Sequence, residues 1–356
     1  MAKYTSIVKM LKSRILHGDY ALKELPAERQ LALEVGVSYM TARRALKELE
    51  AMGMVKRMPN GRLQLNQSPD NDLQQVTLAL LVPTFSSRDI ERWQRAITKV
   101  ASEKGYHVRP VLYTHWDDTL LLDTLDGFHG VFFIPIPGII PPQIINRLKQ
   151  AERVVVLDQD LSVHGLPSVR LFPPIAVQRL LDHLESIGHR KIDCLNTQPE
   201  CAVTLQRIEQ WKIWMAAHGF SGTLFDEPVQ PCEDTLSKGY LATKQLLSTG
   251  DMNATALFCV TAPAAIGAMR AIYEAGYRVG DDIAVCAVNG EGTAAYQTPS
   301  LTAIESPDSY PYIATCLEWI TDRERSWTGP LLLQPSEVPL CIRESTVPSK
   351  RYVVEG

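Results

Sequence analysis

The 356-residue sequence lacks the features that define several large classes of protein. Its seven cysteines (Cys194, Cys201, Cys232, Cys259, Cys286, Cys316 and Cys341) are odd in number and scattered, and none stands in a Cys-x-x-Cys pair. That argues against a disulfide framework or a thiolate metal site and for reduced thiols in the core or at the surface. The eight histidines show no His-Glu-x-x-His spacing, so no metal site is expected. No apolar run is long enough to span a bilayer; the richest, Gly130 to Ile140, is broken by Pro135 and Pro137. The first residues hold no apolar signal-peptide core, and the expectation is a cytoplasmic protein with no membrane partner. Catalytic signatures are missing as well: there is no Gly-x-Ser-x-Gly elbow, no Gly-Lys-Ser/Thr phosphate loop and no poised Cys/His pair. Gly290-Glu-Gly292-Thr-Ala-Ala295 matches the letters of a dinucleotide fingerprint, but it comes late in the chain and Pro299 soon interrupts any helix. No catalytic residue and no cofactor are therefore expected, and an enzyme remains only a remote alternative.

What the chain does have is a basic head. Residues 1–65 contain twelve Lys and Arg against six Asp and Glu, a balance of +6; with −4 overall, the remainder carries −10. A basic module on an acidic body suits a polyanion partner. Within the head, Leu25-Pro26 is expected to open a helix, since proline is tolerated in a first turn, and Leu31, Ala32 and Val35 recur at helical spacing. Gly36 breaks that helix and Ser38 is the expected N-cap of the next. On this second helix Ala42, Ala45, Leu46, Leu49 and Met52 form the stripe expected to be buried, which turns Met40, Arg43, Arg44 and Lys47 elsewhere together. Gly53 stops the helix, Met54–Met58 alternates like a strand, and Pro59-Asn60-Gly61 has hairpin-turn chemistry before the return strand Arg62–Leu65. Two helices alone also fit an ordinary amphipathic pair with a solvated basic face. The short glycine turn, the hairpin that follows and the concentration of charge favour a winged helix-turn-helix.

Tyr4, Ile7, Ile15–Tyr20, Leu25–Arg29, Gly36-Val37-Ser38, Thr41–Leu46 and Leu49–Gly53 together resemble the GntR-type winged-helix regulators over about the first 65 residues. The resemblance implies DNA contacts from Arg29 and Arg43, from Ser38, Tyr39, Met40 and Thr41 at the start of the recognition helix, and from the wing tip at Asn60, Gly61 and Arg62. Arg44 and Lys47 share the exposed face. Tyr39 and Met40 depart from the arginine or small polar residue of many relatives, which leaves the base preference unread.

Residues 66–75 are polar and read as a linker. Beyond them, apolar runs at Val76–Val82, Val108–Tyr113, Gly130–Ile134, Arg153–Leu157, Lys191–Leu195, Thr255–Cys259 and Asp282–Val288 alternate with helix-length segments. Continuous apolar strands separated by helices imply parallel sheets covered on both faces, here two of them with a ligand crevice at their carboxyl ends.

In this order, Ile187–Ile192, Ala265–Ala271, Ala275–Val279, Asp281–Val285, Pro299–Thr302 and Ile342–Thr346 look like the LacI-type effector domain, which shares the two-lobed fold of periplasmic sugar-binding proteins. That resemblance implies three chain crossings, near residues 171, 301 and 329, and dimerisation largely through the first lobe. Arg207 stands where such proteins carry a ligand-binding arginine, and Asn289 where they have an aspartate. Thr261-Ala262 replaces their Asn-Asp pair, and Phe172 replaces an expected aspartate. Each lost polar partner for a buried hydroxyl costs about 1–3 kcal/mol, enough to change specificity. Topology alone adds Thr84, Phe85, Ser86, Trp93, Asp158 and Glu291 to the candidate effector contacts.

The expected fold is α/β: a winged helix-turn-helix domain at 1–65, a linker at 66–75, and a two-lobed periplasmic-binding-protein-like body at 76–347, with a tail at 348–356. Lobe 1 is expected at about 76–171 and 302–328, and lobe 2 at about 172–301 and 329–347. The expected function is a homodimeric DNA-binding repressor on a pseudo-palindromic double-stranded operator, controlled by a small molecule, with carbohydrates among the candidates. The alternative is a degenerate crevice that responds to a non-sugar ligand or to none.

Overall fold

Three short helices and a two-stranded hairpin form the first unit: α1 (Lys3–Leu16), α2 (Glu28–Val35), α3 (Tyr39–Ala51), β1 (Val55–Arg57) and β2 (Leu63–Leu65). The computed structural model describes residues 3–59, 61–66, 76–85, 87–151, 153–230, 233–322, 324 and 326–347. Helix α2 begins two residues after Pro26, with Ala27 as its N-cap, so the proline precedes the first turn instead of occupying it. Gly36 closes α2 in the left-handed region. Ser38 caps α3, its hydroxyl oxygen accepting the Thr41 amide hydrogen at 3.2 Å. Ala42, Ala45, Leu46 and Leu49 are buried against Ile7, Leu11, Leu31 and Val55. Met52 is not: it is 36% exposed, because it is the C-cap residue and lies past the last turn that faces this core. The hairpin pairs Val55 with Leu65 and Arg57 with Leu63, antiparallel.

The body contains two six-stranded sheets flanked by helices. In chain order its elements are β3 (Thr77–Pro83), α4 (Arg88–Glu103), β4 (His107–Tyr113), α5 (Thr119–Gly127), β5 (Val131–Phe133), α6 (Pro142–Gln150), β6 (Val154–Leu157) and β7 (Ser168–Val169). There follow α7 (Ala176–Ser186), β8 (Ile192–Asn196), α8 (Ala202–His218), β9 (Leu224–Asp226), α9 (Thr235–Thr249), β10 (Ala256–Cys259), α10 (Ala262–Glu274) and β11 (Ala284–Val288). Last come β12 (Thr302–Ile304), α11 (Tyr310–Thr321), β13 (Leu332–Leu333) and β14 (Leu340–Cys341). The first sheet runs β13-β7-β6-β5-β3-β4, all parallel. The second runs β14-β12-β11-β10-β8-β9, with only β14 antiparallel. The central strands are buried throughout, which is why they read as unbroken apolar runs.

The chain passes between the lobes three times. The first passage follows β7, close to residue 171. The second comes after β12, not near 301: Thr302, Ala303 and Ile304 are buried and form rungs with Cys286, Ala287 and Val288, completing the second sheet first. The third comes after β13 and not near 329, since Leu332 and Leu333 pair with Ser168 and Val169 of the first sheet. Residues 302–304 thus belong to lobe 2 and 332–333 to lobe 1.

The turn after α1 is seated on lobe 1. Arg109 of β4 pairs with Asp19 at 2.6 Å and donates to the His17 carbonyl at 3.3 Å. The Thr77 hydroxyl donates to the Leu16 carbonyl, and the His17 and His107 rings lie 4.7 Å apart. Leu22 packs against the lobe 1 core, as does Phe128. Gly18 has φ +74°, and a Cβ there would meet Thr77 Cγ2 at 2.9 Å, so both the turn and the close approach require glycine.

Candidate DNA-facing surface and inter-lobe crevice

Helix α3 buries one stripe and leaves the other face to solvent. Met40 is 65% exposed and Tyr39 43%, and Arg43, Arg44 and Lys47 are exposed beside them. Tyr4, Met40, Thr41, Arg43, Arg44 and Lys47 line one shallow concavity, with the Arg44 guanidinium 4.1 Å from the centre of the Tyr4 ring. Ser38 spends its hydroxyl on the cap and also meets the Thr41 hydroxyl at 2.8 Å, so these two residues fix the start of the helix. Arg29 is exposed in the first turn of α2. At the wing, Gly61 is exposed with φ +81°, and Arg62 pairs with Glu24 at 2.9 Å in a largely exposed contact of little strength. Asn60 lies outside the described residues.

Arg57 was not singled out in the sequence, yet it holds the wing in place. It donates to the Gly61 carbonyl at 2.9 Å and to Glu28 at 3.1 Å, and it lies 3.8 Å from Glu50. Glu28 is held below the ordinary carboxylate range, first by its own backbone N–H at the helix start and then by Arg57. The only sequence signal was an Arg beside the turn with acids on both preceding helices.

The crevice gathers at the carboxyl ends of both sheets. Asp158 follows β6, Phe172 follows β7, Thr261 follows β10 and Asn289 follows β11. Among the described residues, the only non-glycines in the left-handed region are Asp158 (φ 65°), Asn289 (φ 63°) and Glu291 (φ 52°), and all three sit here. Such strain concentrates where a particular side-chain direction is required. Phe85, Asp158, Phe172, Arg207 and Thr261 line one cavity of about 150 Å³. Trp93 is fully buried behind it and donates its indole N–H to Asp158 at 2.9 Å, which makes it a positioning residue. Thr84 is exposed at the strand end, its amide bonded to the Tyr113 carbonyl, and does not line the cavity. Ser86 lies outside the described residues.

The charged groups of the crevice form a network that the sequence hid. Asp89, in the first turn of α4, accepts from the Asn289 amide at 2.7 and 2.8 Å and from Arg92 at 2.5 Å. Arg92 also donates to Asn289 Oδ1 at 3.3 Å. This bridge joins lobe 1 to lobe 2. Burial pushes the Asp158 carboxyl up to about 6, helped by the nearby Asp89 charge. Burial and Asp89 likewise push Glu291 up to about 7. Arg207 is 6% exposed; it donates to the Val260 carbonyl at 2.9 Å, and its Nε–H has no hydrogen-bond partner among the described residues. Asp89, Arg170, Gln198 and Thr204 are lining residues that the sequence reading missed. For Asp89 and Arg92 there was a signal: a helix that opens Arg-Asp-Ile-Glu-Arg right after the first body strand must aim its first turn at the crevice.

Elsewhere, Asp182, Glu185 and His218 gather with ligand atoms within 4.8 Å, although no metal-binding spacing marks them in the sequence. Asp182 accepts from Trp214 Nε1, and His218 Nδ1–H donates to the Trp214 carbonyl, as in a solvated surface cluster. No helix among the described residues is long and apolar enough to cross a membrane.

A winged-helix unit with an exposed basic helix, joined to a two-lobed body around a polar crevice, defines a two-part protein. Residues 3–63 match the family model for bacterial regulatory proteins of the gntR family, and residues 181–328 match that for a periplasmic binding protein-like domain. The chain therefore carries a GntR-type winged helix-turn-helix domain followed by a periplasmic binding protein-like body. It is 27% identical over 154 residues to the probable HTH-type transcriptional repressor ExuR of Bacillus subtilis, covering 43% of this chain and 45% of that one. The chain thus spans less than half the length of that relative. It is 22% identical to the arabinose metabolism transcriptional repressor of Halalkalibacterium halodurans, covering 98% of this chain and 97% of the relative. Among solved structures, the lac repressor dimer bound to operator and the anti-inducer ONPF superposes with TM-score 0.65 at 20% identity, over 78% of this chain and 96% of that one. A LacI family regulator from Enterococcus faecium with bound ribose superposes with TM-score 0.64 at 23% identity, over 77% of this chain and all of that one. At these identities the likeness establishes the fold.

Proposed function

We propose that the protein is a DNA-binding transcriptional repressor, acting as a homodimer on a two-fold symmetric operator, whose affinity is set by a small molecule bound between its lobes. It works by binding and not by catalysis. One observation carries the reading: the exposed Met40–Lys47 face of α3 stands in the same chain as an inter-lobe cavity lined by residues of both lobes, among them Asp158 with its left-handed backbone. Arg43 and Lys47 are exposed and make no contact-distance ion pair among the described residues, which leaves their charged ends accessible to DNA. Arg43 reads a base edge, while Arg29, Thr41 and Lys47 hold phosphates. A ligand that prefers one arrangement of the lobes shifts the two heads of the dimer relative to successive major grooves, and so changes affinity. The repressor names of the relatives and the ribose and anti-inducer in the superposed structures support this reading.

The test is selection of binding sequences from a random duplex library by the full-length protein. A symmetric site should be enriched, its binding should weaken steeply with salt, and Arg43→Ala should lose preference for it over random DNA. Failure to enrich any sequence, or undiminished selectivity in Arg43→Ala, overturns the assignment.

A further inference from the structure

The turn after α1 meets lobe 1 through shape as well as charge, and each side of the contact contributes a glycine. A Cβ on Gly18 would meet Thr77 Cγ2 at 2.9 Å and Phe128 Cε1 at 3.2 Å. A Cβ on Gly127, the last residue of α5, would meet the Ala21 carbonyl oxygen at 2.7 Å. A fit this close resists sliding. The Arg109–Asp19 pair at 2.6 Å adds a directional tie beside it. The turn is also rigid with the recognition helix. The amides of His17, Gly18 and Asp19 donate to the carbonyls of Ser13, Ile15 and Arg14, so the turn continues α1. Ile7, Val8 and Leu11 of α1 share one core with Ala42, Ala45, Leu46 and Leu49 of α3, and Arg14 pairs with Glu34 of α2 at 2.5 Å. A packed path therefore runs from β4 through the turn and α1 to α3. A head held only by a tether behaves differently: about ten flexible residues span roughly 16–19 Å, the rise of about five base pairs. A tethered head meets half-sites over a range of separations, and a seated head at one.

Resting on the reading of the protein as a dimeric DNA binder, we propose that this seat sets the spacing of the operator half-sites. Gly18, Asp19, Thr77, Arg109 and Gly127 are then specificity-determining residues, although none of them lines the Met40–Lys47 face. Through the seat, lobe 1 fixes the distance and rotation between the two α3 helices of the dimer. That geometry selects the separation in base pairs at which both helices can bind at once. Sequence is read by α3, and spacing by a contact that lies away from it.

The test places two copies of the half-site enriched by the wild-type protein as an inverted repeat, with spacers that vary in single base-pair steps over a full helical turn. Binding of the full-length protein to each duplex is measured by fluorescence anisotropy. The wild type should prefer one spacing by at least about tenfold over those a few base pairs away. Arg109→Asp should flatten that preference to less than about threefold, and Asp19→Arg combined with Arg109→Asp should recover it. Gly127→Leu, which acts through shape and leaves the charges in place, should flatten it as well. If circular dichroism shows that Arg109→Asp does not fold, Asp19→Asn in the half-exposed turn carries the same comparison. A wild type that binds all spacings within about threefold, single variants as selective as the wild type, or an exchanged pair no more selective than Arg109→Asp alone each overturns the role of the seat. The DNA-binding reading survives those results, because the half-site is still bound. If the wild type binds no duplex of the series, both fall.

Discussion

Exchanging Asp89 and Asn289 tests whether their contact holds the lobes together. The Asn289 amide touches both Asp89 oxygens, at 2.7 and 2.8 Å, from the opposite lobe. A hydrogen bond to a charged group contributes about 1.5–3 kcal/mol when well shielded. One amide spanning two oxygens counts as a single contact, and Asp89 keeps 29% of its side-chain surface exposed, so about 1–2 kcal/mol is the appropriate scale here. That corresponds to roughly five- to thirtyfold in the ratio of closed to open lobes. Asn289→Asp replaces the donor with a second carboxylate against the first, so the ligand-free protein should open and its radius of gyration by small-angle X-ray scattering should increase. Asp89→Asn combined with Asn289→Asp restores an amide facing a carboxylate, with Arg92 still between them, and should return the scattering profile to that of the wild type. If Asn289→Asp is as compact as the wild type, or the exchanged pair stays open, the bridge does not control closure.

Two further outcomes follow from the geometry. Ser38→Ala removes the cap of α3 and should cost about 1 kcal/mol locally, read as roughly fivefold faster hydrogen exchange in the first turns of that helix; unchanged exchange would contradict the capping role. Glu291 has a folded pKa of about 7, above its unfolded value, so the folded state binds the extra proton and stability is lost as pH rises through 7. His107, His183 and His189, each pushed down by burial, act in the opposite sense at lower pH, so the informative quantity is the difference between variants. Glu291→Gln should melt above the wild type at pH 8, with the gap shrinking towards pH 5.5; a gap that is constant with pH would refute the burial argument.

Local chemistry was legible in the sequence, and long-range pairing was not. The α3 stripe, the Ser38 cap and the hairpin each depend on residues within a few positions of one another, and the apolar strand runs report burial on both faces directly. Asp89 and Asn289 are 200 residues apart, and nothing near either one names the other. Asn289 stands where the resemblance has an aspartate, and a carboxylate, Asp89, meets it from the facing lobe. The ends of the lobes were misplaced for the same reason. Whether Thr302–Ile304 closes one sheet or starts a crossing depends on Cys286–Val288, a pairing that the segment itself does not reveal. Met52 shows the converse limit: its spacing was right, but a periodic pattern does not state where the helix stops.

The docked turn after α1 bears on how such proteins can be recombined. By sequence, a single cut in residues 66–75 frees the head as a cassette that could be exchanged for another of its kind. By structure, a graft made there keeps the seating only where the incoming turn also offers a carboxylate to Arg109 and a glycine opposite Thr77. A chimera without them, joined only at the linker, would carry a head whose orientation no longer follows lobe 1. One that also transplants residues 16–22, or recodes Thr77 and Arg109 to suit the incoming turn, would keep it.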